Sequence, residues 1–251
     1  MTDRSSKGEC MKIFGNSLKL VIVDLDGVLL DLLAKFQKNM EQVATHLGLS
    51  IDPIQAHLKS MSEGGSIGHP LLDGTLSILW PGISSKQKER FISLYVEAEQ
   101  NNPLEVFPGS IATLQWLRSN GVYTAVATNN NITDFHRKLR DSSIDPDIFD
   151  AISTASSGFY KPDPRMLTCV LEELQASREE AIFVGDWYPD IECAQRARIP
   201  FVGVLSGALK TKAFVERGVS ANHLVPYFTD LRSLVVEWLY GYGALLDATC
   251  I

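Results

Sequence analysis

The run Leu20-Val21-Ile22-Val23, followed at once by Asp24-Leu25-Asp26-Gly27-Val28, restricts this chain more than any other stretch. Four consecutive apolar residues without polar alternation read as a strand buried on both faces, as in a parallel sheet covered by helices. Carboxylates two residues apart at the end of such a strand point to the same side, where the backbone leaves the sheet. In open α/β folds that end is where ligands sit. Side by side, two acids repel each other and lose hydration unless a cation is bound or one of them holds a proton. The spacing therefore points to chemistry, although Asp26-Gly27 alone is also an ordinary turn signal.

Three later segments repeat the arrangement. Val122-Tyr123-Thr124-Ala125-Val126-Ala127 is a second apolar strand running into Thr128-Asn129. Lys161-Pro162-Asp163-Pro164 follows a third short apolar stretch at Ala151-Ile152. Ala181-Ile182-Phe183-Val184-Gly185 is a fourth strand, ending in Asp186-Trp187-Tyr188-Pro189-Asp190. Each polar cluster stands just after a strand or at the start of a helix.

This ordered set, DxDG, then TN, then KP, then GDxxxD, resembles the haloacid dehalogenase superfamily of phosphoryl-transfer enzymes, across nearly the whole chain. The resemblance implies an α/β fold: a Rossmann-like, doubly wound parallel sheet core with an inserted all-helical cap. Residues 1–17 are then an N-terminal lead, expected to be mobile. Residues 18–30 and 105–251 form the catalytic core, and residues 31–104 the cap. Within that frame Asp24 is the nucleophile that would form an aspartyl-phosphate. Asp26 is the general acid and base, pushed towards its protonated form by Asp24. Gly27, Thr128, Asn129 and Lys161 would bind the transferring phosphoryl group. Magnesium would be held by Asp24, by the backbone carbonyl of Asp26 and by Asp186. Asp190 either touches the metal or acts through water or Lys161, since an acid in a first helical turn is stabilised by the helix dipole regardless of function.

The segments between these motifs carry their own periods. Leu33, Phe36, Met40, Val43 and Leu47 recur at helical spacing. Asp52 and Pro53 predict a second helix through Met61, with Asp52 as its cap. The Gly-, Pro- and Ser-rich stretch from Glu63 to Gly82 reads as a loop or broken helix. Ser84 or Ser85 opens a long helix to about Asn101, and from Phe107 onward helices and strands alternate. Helices are expected over Pro108–Ser119, Thr133–Asp141, Pro164–Leu174, Pro189–Arg198 and Leu209–Arg217, and strands at Phe201–Leu205 and His223–Val225.

Composition narrows the partners. A chain of 251 residues, 45% hydrophobic and 21% charged, can bury a sizeable core. Its net charge of −7 disfavours a nucleic-acid-binding surface. Cys10, Cys169, Cys193 and Cys250 show no CxxC spacing, so reduced thiols are expected rather than a zinc site or disulfide framework. No apolar run has signal-peptide or membrane-spanning length, and the expectation is a soluble cytoplasmic protein with no membrane partner, monomeric or homodimeric.

The expected function is a magnesium-dependent phosphatase acting on a small phosphorylated metabolite, similar to the phosphoglycolate phosphatase group. A sugar phosphomutase of the β-phosphoglucomutase type shares the covalent step and is separated by product analysis. Dehalogenase and phosphonatase chemistry are disfavoured by Asp26. A phosphate-sensing or catalytically silent binding protein is the alternative of another class, opposed by the intact set of acids. The stretch Gly64 to Gly82 matches no substrate-specific pattern, so specificity stays open.

Overall fold

The computed structural model describes residues 12–13, 16–64 and 72–240 of the chain. The described residues begin with a short antiparallel pair, β1 (Lys12–Ile13) and β2 (Asn16–Ser17), at the end of the expected mobile lead, the rest of which lies outside the described residues. Then come β3 (Leu20–Val23) and four helices, α1 (Leu32–His46), α2 (Asp52–Ser62), α3 (Leu72–Leu79) and α4 (Ser85–Asn101). From there helices and strands alternate: α5 (Ser110–Ser119), β4 (Tyr123–Thr128), α6 (Ile132–Asp141), β5 (Ala151–Thr154), α7 (Arg165–Glu173) and β6 (Ala181–Gly185). The last elements are α8 (Tyr188–Ala197), β7 (Phe201–Val204), α9 (Thr211–Glu216), β8 (Leu224–Val225) and α10 (Leu231–Tyr240).

Six strands form one parallel sheet in the order β5-β4-β3-β6-β7-β8. The alternation of side chains along each strand fills two separate cores. Val21 and Val23 of β3, with Ile182 and Val184 of β6, pack on one face; Leu20 and Ile22, with Ala181 and Phe183, pack on the other. That two-sided burial is why the apolar runs carry no polar alternation. The chain leaves β3 for β4 on one side and later returns to β6 on the other, so the strand order reverses at β3. A crevice opens at such a switch point, beyond the carboxyl ends of the strands.

Helices α1 to α4 enclose a third cluster of their own, with Met40, Val43, Ile54, Leu76, Phe91 and Tyr95 buried in it. Helix α4 starts as its sequence suggests: Ser84 Oγ accepts from the Gln87 N–H at 3.4 Å, and Gln87 Oε1 accepts from the Ser84 N–H at 3.0 Å. One expectation needs correction here. Asp52 is the first residue of α2 and not its cap, because its carboxylate accepts from the Ser50 hydroxyl at 3.0 Å and Ile51 precedes the helix without a side-chain bond. In the stretch read as a loop or broken helix, Leu72–Leu79 is a helix, with Leu76 and Leu79 packed into the cluster despite Gly74. Residues 65–71 of that stretch lie outside the described residues. Helix α10, which the sequence reading omits, buries Leu231 and Val235.

Candidate active site

The sheet register brings the polar clusters together. Val23 is level with Val126 on one side and Val184 on the other, so Asp24 leaves β3 between the ends of β4 and β6. Thr128 closes β4, and Asp186 follows β6 by one residue. Lys161 arrives from the loop before α7, whose start is fixed by Asp163 Oδ1 accepting from the Arg165 N–H at 2.9 Å.

Asp24 is buried, and its Oδ1 accepts from the Leu25 N–H at 2.7 Å. Lys161 Nζ lies 2.8 Å from that oxygen and 2.7 Å from Asp190 Oδ1, bridging the two acids. Burial, opposed by Lys161 and reinforced by the charges of Asp190 and Asp26, lifts Asp24 to a pKa of about 7. Burial alone would push Lys161 down, but Asp190 and Asp24 outweigh it and hold the ammonium above its ordinary value. Lys161 therefore stays charged, one cation among several acids.

Asp186 Oδ2 accepts from the Ala208 N–H at 2.9 Å. Burial, and then the charges of Asp190 and Asp24, raise Asp186 well above the usual carboxylate range. Two glycines make room for it: a Cβ on either Gly27 or Gly207 would overlap the Asp186 carboxylate. Gly27 also sits at φ +79°, a left-handed conformation that a side chain resists. Asp190 is tied in through both oxygens. Its Oδ2 accepts from the N–H groups of Asp186 at 3.2 Å and Trp187 at 3.0 Å, and its Oδ1 faces Lys161.

On the β4 side, Thr128 is buried and its hydroxyl oxygen accepts from the Asn130 N–H at 3.2 Å and from Asn130 Nδ2 at 2.7 Å. The Asn129 side chain grips the backbone of Lys161, accepting from its N–H at 2.7 Å and donating to its carbonyl at 3.1 Å. The Asn129 side chain thus positions the lysine and leaves its own backbone beside the cavity. Asn131 caps α6 by accepting from the Asp134 N–H at 2.9 Å. Asp24, Asp26, Thr128, Asn129, Lys161 and Asp190 all line one cavity of 220 Å³. Every expected site residue is accordingly in one place, with Gly27 and Asp186 on the adjoining wall.

Residues 21–204 match the family of haloacid dehalogenase-like hydrolases. The chain belongs to that family. This haloacid dehalogenase-like hydrolase is 28% identical over 223 residues to phosphoglycolate phosphatase 1 of Pseudomonas aeruginosa, covering 87% of this chain and 76% of the relative. It is 26% identical over 219 residues to the phosphoglycolate phosphatase of Aquifex aeolicus, covering 84% and 92%. Among solved structures, the fold is shared with a β-phosphoglucomutase-like protein of Thermotoga maritima (TM-score 0.69, 23% identity, 88% of this chain and 99% of that one). It is also shared with a haloacid dehalogenase-like family hydrolase of Streptococcus pneumoniae (TM-score 0.63, 17% identity, 86% and 97%).

The donor set of this hydrolase fits a small hard cation. Asp24, Asp186 and Asp190 are buried and each offers a carboxylate oxygen within 4.8 Å of the others. Among the described residues no helix is long and apolar enough to cross a membrane.

Some site residues escape the sequence reading. Lys138 Nζ contacts both oxygens of Asp26, at 2.8 and 2.6 Å, and Asn130 Nδ2 donates to Asp26 Oδ2 at 2.8 Å. The available signal was a lysine on the buried face of α6, beside Phe135 and Leu139. The loop after β7 contributes the Ala208 N–H to Asp186, the Ser206 hydroxyl to the Gly27 carbonyl at 3.0 Å, and the Lys210 N–H to the Ser62 carbonyl at the end of α2 at 3.0 Å. That loop had no motif to mark it.

Proposed function

We propose that this hydrolase is a magnesium-dependent phosphatase that cleaves a small phosphorylated metabolite through an aspartyl-phosphate on Asp24. The observation that supports it most is the lysine bridge: Lys161 ties Asp24 to Asp190, leaving a buried acid at the strand end beside a charged ammonium. Such a pair suits an incoming phosphoryl group, whose charge Lys161 would share with Asp24. The named relatives, both phosphoglycolate phosphatases, support the reaction class.

Asp24, Asp186 and the Asp26 backbone carbonyl are the groups that would hold magnesium, and Asp190 would serve by orienting Lys161. When bound, the ion supplies positive charge that offsets the clustered acids and the phosphoryl oxygens. In the first step an Asp24 oxygen attacks phosphorus, the bond from phosphorus to the ester oxygen breaks, and that oxygen takes a proton from Asp26. In the second step water attacks phosphorus, gives its proton to Asp26, and the bond from phosphorus to Asp24 breaks, releasing inorganic phosphate. Thr128 and the N–H groups that follow it would bind phosphoryl oxygens at the start of α6. Asp26 is paired with Lys138 in this structure, so it must take up a proton from solvent before it can give one to the leaving oxygen, while Lys138 and Asn130 keep its carboxyl oriented.

Residues 31–104 act in this reading as a cap that chooses the substrate. The test is hydrolysis of p-nitrophenyl phosphate by the whole chain with magnesium and with chelator, with inorganic phosphate measured as product. Activity confined to the magnesium arm supports the reading. Full activity in chelator, or phosphoryl transfer to a second hydroxyl in place of phosphate release, contradicts it.

A further inference from the structure

Above the phosphoryl site lies a larger cavity of 510 Å³, floored by Asp24, Asp26 and Asp186 and roofed by residues of α1 to α4. Its size is in the range of pockets that hold small organic ligands. Leu33, Phe36, Leu58, Met61, Tyr95 and Trp187 line its wall. Phe36 and Tyr95 stand with ring centroids 6.2 Å apart, tilted by 59°. The polar groups facing this space from the cap are His57, Thr75 and Glu99.

Among the described lining residues there is neither lysine nor arginine. The two lysines nearest the floor are already engaged, Lys161 by Asp24 and Asp190 and Lys138 by Asp26. Burial holds His57 below its ordinary pKa, which disfavours its charged form. A carboxylate or second phosphate on the leaving group would meet neither lysine nor arginine among the described lining residues and would face Glu99. An unpaired buried charge and a like charge are both unfavourable.

We propose that the cap cavity selects phosphate monoesters whose leaving group has an apolar body and carries no second negative charge. This rests on the phosphatase reading above and deepens it, and it sets the chain apart in substrate from the phosphoglycolate phosphatases it resembles.

The experiment compares benzyl phosphate with 2-phosphoglycolate, using the whole chain with magnesium. Both leaving oxygens are alkyl alkoxides, so intrinsic reactivity does not decide the outcome. The expected kcat/KM is at least about tenfold higher for benzyl phosphate, the scale on which an apolar pocket discriminates. Glu99→Lys, which adds a cation to the wall, is expected to shift the ratio towards 2-phosphoglycolate by about tenfold while p-nitrophenyl phosphate is still hydrolysed. Equal or better use of 2-phosphoglycolate by the parent overturns the cavity's selectivity and leaves the phosphatase reading standing. Failure to hydrolyse all three esters overturns the phosphatase reading itself, and the inference with it.

Discussion

Lys138 Nζ lies 2.8 Å from Oδ1 and 2.6 Å from Oδ2 of Asp26, a two-pronged ion pair across 112 residues of sequence. It fixes the orientation of the carboxylate proposed to carry the proton. Lys138→Met leaves Asp26 to Asn130 alone. With benzyl phosphate, whose leaving oxygen needs a proton, kcat is expected to fall about tenfold to a hundredfold. With p-nitrophenyl phosphate the loss is expected to be much smaller, and Lys138→Arg should retain most activity on both. Equal losses on the two esters, accompanied by a lower melting temperature, would make Lys138 structural only.

Without a cation, the buried acids work against folding. Asp24 rises from its ordinary 3.8 to about 7 in the folded chain, mainly through burial. A carboxyl whose pKa is higher folded than unfolded binds more protons folded between those values, so stability falls as pH rises through that window. Magnesium binds the ionised form, so its stabilising effect is expected to grow across the same range. Melting temperatures with magnesium and with chelator, measured at about pH 5 and about pH 8, check this. The gap between the two curves is expected to widen at the higher pH, and a narrowing gap would argue against the cluster as the cation site.

Gly27 is required twice, for its φ of +79° and for the space that Asp186 occupies. Gly27→Ala is expected to cost about 1–2 kcal/mol from the left-handed backbone alone, seen in denaturant unfolding. It should also displace Asp186, so the magnesium concentration giving half-maximal rate should rise. A variant with unchanged magnesium dependence would place Asp186 away from the cation.

The bundle of α1 to α4 has its own buried aromatic. Phe91 is inaccessible to solvent, and its ring centroid is 5.5 Å from that of Trp80. Phe91→Ala is expected to destabilise these helices by about 3–5 kcal/mol, through lost burial and the cavity left behind. Hydrogen exchange should quicken in α1 and α4 before it does in β3. Uniform acceleration across the chain would mean that cap and sheet unfold as one unit.

What was legible in the sequence was whatever is local. The runs at β3, β4 and β6 announce buried strands because both faces of each are covered, and a serine at 84 or 85 announces the start of α4. The four motifs could be placed together because each ends a strand or opens a helix, and parallel strands bring such ends to one edge. Helix α3 was obscured by Gly74, whose low helix propensity is overridden by burial of Leu76 and Leu79. Lys138 reads as an ordinary basic residue near a helix end, since its partner is remote in sequence. The Ala208 N–H that holds Asp186 is a backbone donor, and no side-chain pattern marks it.

The nucleophile is the central claim, and the mass of the intact protein tests it most directly. Asp24 is buried, with Lys161 at 2.8 Å, while Asp26 is held apart from it by Lys138 and Asn130. Asp26→Asn keeps the nucleophile but lacks the base that activates water, so a covalent intermediate formed from an activated ester should persist. After brief incubation with p-nitrophenyl phosphate and magnesium, Asp26→Asn is expected to gain the mass of one phosphoryl group, and Asp24→Asn to gain none. Acquisition of that mass by Asp24→Asn as readily as by Asp26→Asn would contradict the account.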